Sequence, residues 1–263
     1  MKRLAALTVA LLVAFVLAPA TLAANGSTTD LTSQGRLVAA FRGAFVGYWG
    51  SGERAFDPAM RSVVDYWFRY HVAKAALAAA LLVALLGLGV AIWRRFLRAG
   101  GLRAAALATG GTVVTGLAVL SLAAVMANIH GMAAPFGSLL PMLFGDAGTR
   151  SDAGLATTLS QVRQQLADGH HPPALEAITS DYIKFHAVMA IEGAIVVPVL
   201  LALTVLLWRR FTRASSRRTR RLLAAYGVFT PLLALTLAVI VVANATTAAH
   251  PQPGLEGFFA GGW

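Results

Sequence analysis

The sequence predicts an all-α membrane protein in which a four-transmembrane-helix bundle is built from two parallel two-span repeats. Three observations lead to this fold class. The chain of 263 residues is 57% hydrophobic with a mean hydropathy of +0.68, values that are typical of integral membrane proteins. Its apolar stretches are long enough to cross a bilayer, and the second half repeats the pattern of the first. An N-terminal signal or anchor segment and amphipathic helices outside the membrane complete the prediction.

Residues 1–24 have the layout of a secretory signal peptide. Lys2 and Arg3 precede an apolar core, and Pro19 is followed by small residues in the stretch Thr21-Leu22-Ala23. This order is typical of a segment removed on export. We expect cleavage over the alternative, which is retention as an N-terminal anchor. In both cases the chain that follows emerges outside the membrane.

Four further stretches have the length of a membrane span, which needs about 20 apolar residues. They are residues 72–93, 104–127, 187–208 and 222–243. The first and third stretches end at the same Trp-Arg-Arg-Phe run, and the second and fourth end at the same Ala-Asn pair. The stretches therefore form two pairs.

The two pairs look like copies of one unit. The first repeat covers residues 25–145 and the second covers 146–263, with an offset of 115 residues that becomes 116 after the first span of each pair. A fixed offset indicates an internal duplication. Because each copy holds two spans, both copies enter the membrane in the same direction. We therefore expect parallel repeats related by a pseudo-two-fold axis along the membrane normal.

An amphipathic helix is predicted ahead of each span pair. Apolar residues recur at helical spacing in both places, and Asp57-Pro58 and Pro172-Pro173 then restart a helix that runs into the membrane. Each amphipathic helix lies either on the membrane surface or against its counterpart. The two apolar stripes are Leu37, Val38, Phe41, Phe45 and Tyr48, and Leu155, Leu159, Val162 and Leu166.

The second span of the first pair carries many small residues. Gly110, Gly111, Thr112, Thr115 and Gly116 lie in residues 104–127. Small residues let helices approach closely in lipid. We expect this span to be the most buried of the four.

The charges predict the orientation of the spans. Residues 94–103 carry four Arg and residues 209–221 carry seven Arg, with no acid in either stretch. Basic residues are retained on the cytoplasmic side. We expect a multi-pass protein of the bacterial cell membrane with both Arg-rich loops cytoplasmic. Regions 25–71, 128–185 and 245–263 are then extracytoplasmic.

The net charge of +11 does not indicate nucleic-acid binding, because the basic residues lie in short loops without a recognised nucleic-acid motif. Anionic inner-leaflet lipid is the expected partner of these loops, although Arg residues that only fix the topology explain the same pattern. The absence of Cys excludes disulfides, iron–sulfur clusters and c-type haem attachment. The candidate lipid-contacting residues are Arg94, Arg95, Arg209, Arg210, Arg217 and Arg218.

Polar residues near the outer ends of the spans form the candidate intramembrane site. We expect Lys74 and Glu192 to pair inside the bundle, since a lone carboxylate at that depth is costly. The other members are His71, His186, Asn128 and Asn244. Each also has an ordinary explanation: interfacial His, helix-ending Asn, a Lys that snorkels to the interface, and a purely structural ion pair.

No catalytic signature accompanies this site. The adjacent His170-His171 pair does not indicate a metal site by itself, and we predict none. The leading hypothesis is an accessory, scaffolding or sensing subunit that acts through its outer face on a membrane protein partner or a second copy. One alternative is a b-type haem or metal protein with His71 and His186 as ligands. Another is a small proton-coupled transporter or channel using Glu192.

The last 80 residues or so carry a resemblance. The run Val241–Ala248, followed by Pro251, Pro253 and Phe258-Phe259, resembles the C-termini of uncharacterised multi-pass membrane proteins of high-GC Gram-positive bacteria. Phe185-His186 and the Trp208–Phe211 run are similar to the same group. The resemblance implies a membrane protein of that family and no established activity, so it supplies no site residues. It favours the accessory-subunit hypothesis.

Overall fold

The computed structural model describes residues 1–144 and 153–261, and the regular structure in these ranges is entirely helical. Five of the helices, α1, α3, α4, α7 and α8, are long and apolar enough to cross a membrane. This finding is compatible with the predicted multi-pass membrane protein. In chain order the helices are α1 (Lys2–Ala23), α2 (Gln34–Ser51), α3 (Pro58–Phe96), α4 (Gly101–Ala133), α5 (Pro135–Leu139), α6 (Ala153–Ala167), α7 (Pro173–Arg213), α8 (Arg217–Ala249) and α9 (Pro251–Phe259).

The four predicted spans lie inside longer helices. α3 has 39 residues and α7 has 41, so each is roughly 60 Å long at about 1.5 Å per residue. α3 begins where Asp57 Oδ1 accepts the Met60 N–H at 2.7 Å, and Pro58 fills the first helical position, where no N–H is needed. Pro173 likewise fills the first helical position of α7. The predicted helix restarts are confirmed.

The boundaries of the helices follow the sequence offsets. Pro58 and Pro173 begin α3 and α7, which are 115 residues apart. Pro135 and Pro251 begin α5 and α9, which are 116 residues apart. The similar sequences of the two halves therefore form helices at matching positions.

Contacts between residues group the chain into two compact units. Both units draw on the long helices, because α3, α4, α7 and α8 each pass from one unit into the other. We call them the span unit (Met1–Leu12, Leu77–Met126 and Met189–Ala245) and the aromatic unit (Val13–Ala76, Ala127–Val188 and Thr246–Trp263).

In the span unit, tryptophan rings pack on glycines in both helix pairs. A Cβ added to Gly111 of α4 would lie 2.7 Å from the Trp93 ring of α3. A Cβ on Gly227 of α8 would lie 3.1 Å from the Trp208 ring of α7. The large ring and the missing side chain thus set the same close approach in each pair.

The prediction that α4 is the most buried span is wrong. In the most apolar stretch of each helix, 44% of residues are buried in α3 and 22% in α4. α3 receives neighbours from two sides, since Leu4 of α1 contacts the Gly87 position while Ser121 of α4 donates to Ala78 O at 2.8 Å. Gly110 and Gly116 of α4 face open space. Several small residues of α4 therefore do not mark a helix contact.

The aromatic unit contains the two predicted amphipathic helices. Every predicted stripe residue is buried in α2 except Val38, which is half-buried, and all four are buried in α6. α2 packs on α6, and Trp49 Nε1 donates to Gln161 Oε1 at 3.0 Å across this contact. The helical prediction is confirmed, and the structure adopts the alternative in which each helix packs on its counterpart.

A cluster of aromatic rings forms the core of this unit. The ring centroids of Phe56 and Phe136 lie 4.9 Å apart, and those of Tyr48 and Phe136 lie 5.7 Å apart, both edge-to-face. Such geometry adds to the energy of burial. Burial raises the pKa of Tyr48 to about 12, against a smaller opposing effect of Arg54. Tyr48 is therefore neutral at physiological pH, and its hydroxyl donates to Arg54 O at 3.2 Å.

The second half of α1, from Val13 onward, also belongs to the aromatic unit. Ala23 is fully buried, and Arg69 Nε of α3 donates to Ala23 O at 2.7 Å. The guanidinium thereby satisfies one of the carbonyls that a helix end leaves without a partner. These contacts tie the predicted signal or anchor segment to α3.

Candidate functional site

The structure brings two of the predicted site residues together. His71 of α3 lies beside Asn128 of α4, with 2.9 Å between Nδ1 and Oδ1. An amide oxygen only accepts hydrogen bonds, so Nδ1 carries the hydrogen and donates it. The proton on Nδ1 leaves a lone pair on Nε2 when the ring is neutral. Asn128 is buried, so the orientation of the imidazole is fixed from a rigid position.

Gly131 makes room for this imidazole. A Cβ added at Gly131 would lie 2.6 Å from Cε1 of His71 and 2.7 Å from each ring nitrogen. His71 Nε2 is buried, with no hydrogen-bond partner among the described residues. A buried polar atom without a partner is costly and requires a reason. Here the reason is close packing of the ring on the α4 backbone.

Lys74 lies one turn further along α3 in aromatic surroundings. Its Nζ donates to Tyr70 Oη at 3.0 Å and lies 5.4 Å from the centre of the Phe15 ring. Tyr70 is itself stacked on Trp67 at 4.9 Å. Lys74 belongs to the aromatic unit and Glu192 to the span unit, and their ion pair stays a prediction.

The equivalent residues of the second copy have different neighbours. The His186 ring meets Tyr182 at 4.4 Å and Phe185 at 5.5 Å, edge-to-face. Asn244 donates from Nδ2 to Ile240 O of its own helix at 2.8 Å. Asn244 belongs to the span unit while His186 belongs to the aromatic unit. The hydrogen bond between His71 and Asn128 is the contact from which the site is built.

The packing around His71 does not fit a b-type haem. A lone pair on Nε2 with Nδ1 held by a hydrogen bond is the chemistry that an axial ligand needs. However, Nε2 is fully covered by protein atoms, and the ring lies against the Gly131 backbone. An iron atom would reach Nε2 only if α3 and α4 separated. We therefore derive no role for haem from this geometry.

A cleft that the sequence did not predict lies in the aromatic unit. It has a volume of about 780 Å³, within the usual range of about 300–1,000 Å³ for small-molecule sites. We call it the glutamine cleft. Its polar and aromatic lining comprises Trp49, Gln161, Gln164, Gln165, Asp168, His170 and His171.

The glutamine cleft presents hydrogen-bonding groups in a fixed arrangement. Trp49 Nε1 holds Gln161 Oε1, while Gln165 Oε1 is buried without a partner among the described residues. No group of three or more His, Asp or Glu side chains in the described ranges is arranged to hold a metal ion. The neighbouring glutamines of α6 were a possible signal in the sequence. The contribution of Trp49 could not be predicted from the sequence, because Trp49 lies more than a hundred residues away from these glutamines.

The arginines predicted to contact lipid are not equivalent. Arg94, Arg95, Arg209, Arg210 and Arg217 are exposed. Arg218 is half-buried, and its guanidinium donates to Phe96 O and Ala99 O and lies 5.2 Å from the Phe96 ring centre. Arg218 therefore closes the end of α3. Contact of the other five with lipid stays a prediction.

No protein-family model matches the chain, and neither a curated protein nor a solved structure matches it.

Proposed function

We propose that the chain is a bacterial cell-membrane protein whose two span pairs, α3–α4 and α7–α8, form a four-helix bundle of two parallel repeats. The matching helix starts and the repeated Trp–Gly contacts support this arrangement. The Arg-rich loops 94–103 and 209–221 lie in the cytoplasm, and regions 25–71, 128–185 and 245–263 lie outside. The suspected family of high-GC Gram-positive membrane proteins agrees with this proposal.

Cysteine labelling tests the orientation directly, because the chain has no Cys of its own. Ser160→Cys on α6 and Ser215→Cys between α7 and α8 both replace exposed residues. In intact cells a membrane-impermeant thiol reagent should label Ser160→Cys only, and permeabilised cells should allow both. If the reagent labelled only Ser215→Cys in intact cells, the orientation would be the opposite of the one proposed.

We further propose that the protein is an accessory or sensing subunit that binds a partner through the glutamine cleft. The buried Gln165 Oε1, which no described group satisfies, is the observation that carries this proposal. Once the Gln165 side chain turns into the cleft, an N–H donor of a partner satisfies that oxygen and removes the cost of leaving it unpaired. The amides and imidazoles beside it suit an extended peptide segment, whose backbone offers alternating donors and acceptors.

The aromatic core gives the cleft a rigid base. Trp49 is buried on α2, and its indole is fixed by Gln161 of α6. A preformed site loses little conformational entropy on binding. We propose a segment of another membrane protein as the partner that enters the cleft, and a second copy of this chain is the alternative outcome of the test.

Photocrosslinking from the cleft tests this function. A photoreactive amino acid at Gln164, which is exposed in the cleft, should give one adduct of defined mass in native membranes. The same amino acid at Thr157, exposed on α6 outside the lining, is the matched control and should give none. Trp49→Ala should abolish the adduct. An adduct equal from both positions, or unaffected by Trp49→Ala, would contradict the proposal.

A further inference from the structure

The span unit contains an apolar cleft that the proposed function does not use. Its volume is about 420 Å³, again within the range of about 300–1,000 Å³ for ligand sites. All four helices of the two span pairs contribute to it. We call it the span cleft, and its walls include Leu85, Trp93, Ala118, Leu200, Tyr226 and Phe229.

One end of the span cleft is polar. Trp93 Nε1 is buried there, with no hydrogen-bond partner among the described residues. Nearby, Thr115 Oγ1 and Tyr226 Oη share a hydrogen bond of 2.5 Å. The equivalent tryptophan of the other pair has an acceptor, because Trp208 Nε1 donates to Gly227 O at 3.1 Å. An indole N–H only donates, so the N–H of Trp93 is left without an acceptor among the described residues.

The wall of the span cleft also includes side chains that reach the protein surface. Leu86, Val90 and Phe229 line it and are 55%, 52% and 42% exposed. In a membrane-spanning helix such a surface meets lipid. An occupant can therefore enter sideways from the bilayer with an apolar chain first.

The charges beside the polar end of the span cleft favour an anionic occupant. Trp93 is followed directly by Arg94 and Arg95, which are both exposed. Residues 94–103 contain no acid. Basic side chains at the membrane surface attract anionic head groups, and an ester or phosphate oxygen supplies the acceptor that Trp93 lacks.

We propose that the span cleft binds an anionic glycerophospholipid. One acyl chain lies between α3, α4, α7 and α8. The indole of Trp93, whose Nε1 is covered by protein atoms in this structure, turns toward the cleft so that a head-group or ester oxygen accepts its hydrogen. Arg94 and Arg95 contact the phosphate. This site is independent of the glutamine cleft, and its test gives no information on partner binding.

Two substitutions probe the site, and each has a matched control. Ala118→Phe fills the cleft, whereas Val239→Phe adds similar bulk at an exposed position of α8. Trp93→Phe removes the free donor, whereas Trp208→Phe removes the donor that is already used. The full-length proteins are purified in mild detergent and stripped of lipid. Phosphatidylglycerol and phosphatidylcholine are then titrated in, with binding followed by native mass spectrometry.

We expect the wild type to bind one phosphatidylglycerol molecule at the lowest concentration and phosphatidylcholine at least tenfold more weakly. Ala118→Phe should weaken phosphatidylglycerol binding at least tenfold, and Trp93→Phe about fivefold, as loss of one hydrogen bond implies. Both controls should bind like the wild type. Equal binding of the two lipids, or equal effects of Trp93→Phe and Trp208→Phe, would overturn the proposal. If Ala118→Phe does not fold, the Trp93→Phe comparison still decides it.

Discussion

The helix pairs α3–α4 and α7–α8 begin at matching residues and make the same Trp–Gly contact, but they differ in how they satisfy their polar atoms. In the first pair, His71 Nε2 and Trp93 Nε1 are buried without a hydrogen-bond partner among the described residues. In the second pair, Trp208 Nε1 donates to the backbone. Helix geometry set by large and small residues thus tolerates a change of polar chemistry. At the two equivalent tryptophans, the one whose N–H has no acceptor among the described residues indicates where binding has become possible.

The largest expected effect comes from filling the space that Gly131 leaves for His71. Because a Cβ would overlap the imidazole, Gly131→Val should destabilise the protein by about 3 kcal/mol, at the upper end of overpacking costs. Thermal unfolding in detergent measures the change. The corresponding position of α8, offset by 116, carries Thr247, so this glycine contact is specific to the first pair.

Gly116→Val is the control for that substitution. Gly116 lies on the same helix, and an added Cβ would meet nothing within 4 Å. Only the difference in helix propensity should remain, which is a few tenths of a kcal/mol. A loss of stability as large as that of Gly131→Val would mean that His71 does not set the cost.

The next comparison is between the two asparagines. Asn128→Leu removes the buried acceptor of His71 Nδ1, so both imidazole nitrogens would then lack partners, at a cost of about 2 kcal/mol. Asn244→Leu removes an exposed bond to the backbone of its own helix and should cost less than about 1 kcal/mol. Chemical denaturation of the two variants at one detergent concentration gives the difference. Equal losses would show that the His71–Asn128 bond contributes nothing specific.

The sequence predicted what depends on local periodicity. The α6 stripe was correct in full, because Leu155, Leu159, Val162 and Leu166 follow the helical period and must bury one face. The helix starts at Pro58 and Pro173 could also be predicted from the local sequence. The burial of α4 could not be predicted in this way, because small residues permit a close contact without specifying where a neighbour lies.

The candidate site depended on long-range contacts. The sequence placed His71 and Asn128 near one end of the spans. It did not predict that the His71 ring packs against Gly131 or that its Nε2 is buried without a hydrogen-bond partner among the described residues. The glutamine cleft joins Trp49 to α6 across more than a hundred residues, and the span cleft needs four helices. No periodic pattern records such neighbours, because they arise only when separate helices pack.

The smallest expected effect separates the two tryptophans. Trp208→Phe removes a hydrogen bond to Gly227 O and should cost about 1 kcal/mol beyond the loss of contact area, since a carbonyl then lacks its donor. Trp93→Phe loses a similar area but also removes a buried N–H that lacks a partner. In lipid-stripped protein it should therefore be the less damaging of the two. Adding phosphatidylglycerol should stabilise the wild type and Trp208→Phe by ligand binding and leave Trp93→Phe less changed. If Trp93→Phe is the more damaging substitution in stripped protein, Trp93 Nε1 already has a partner and the two helix pairs are chemically alike at this contact.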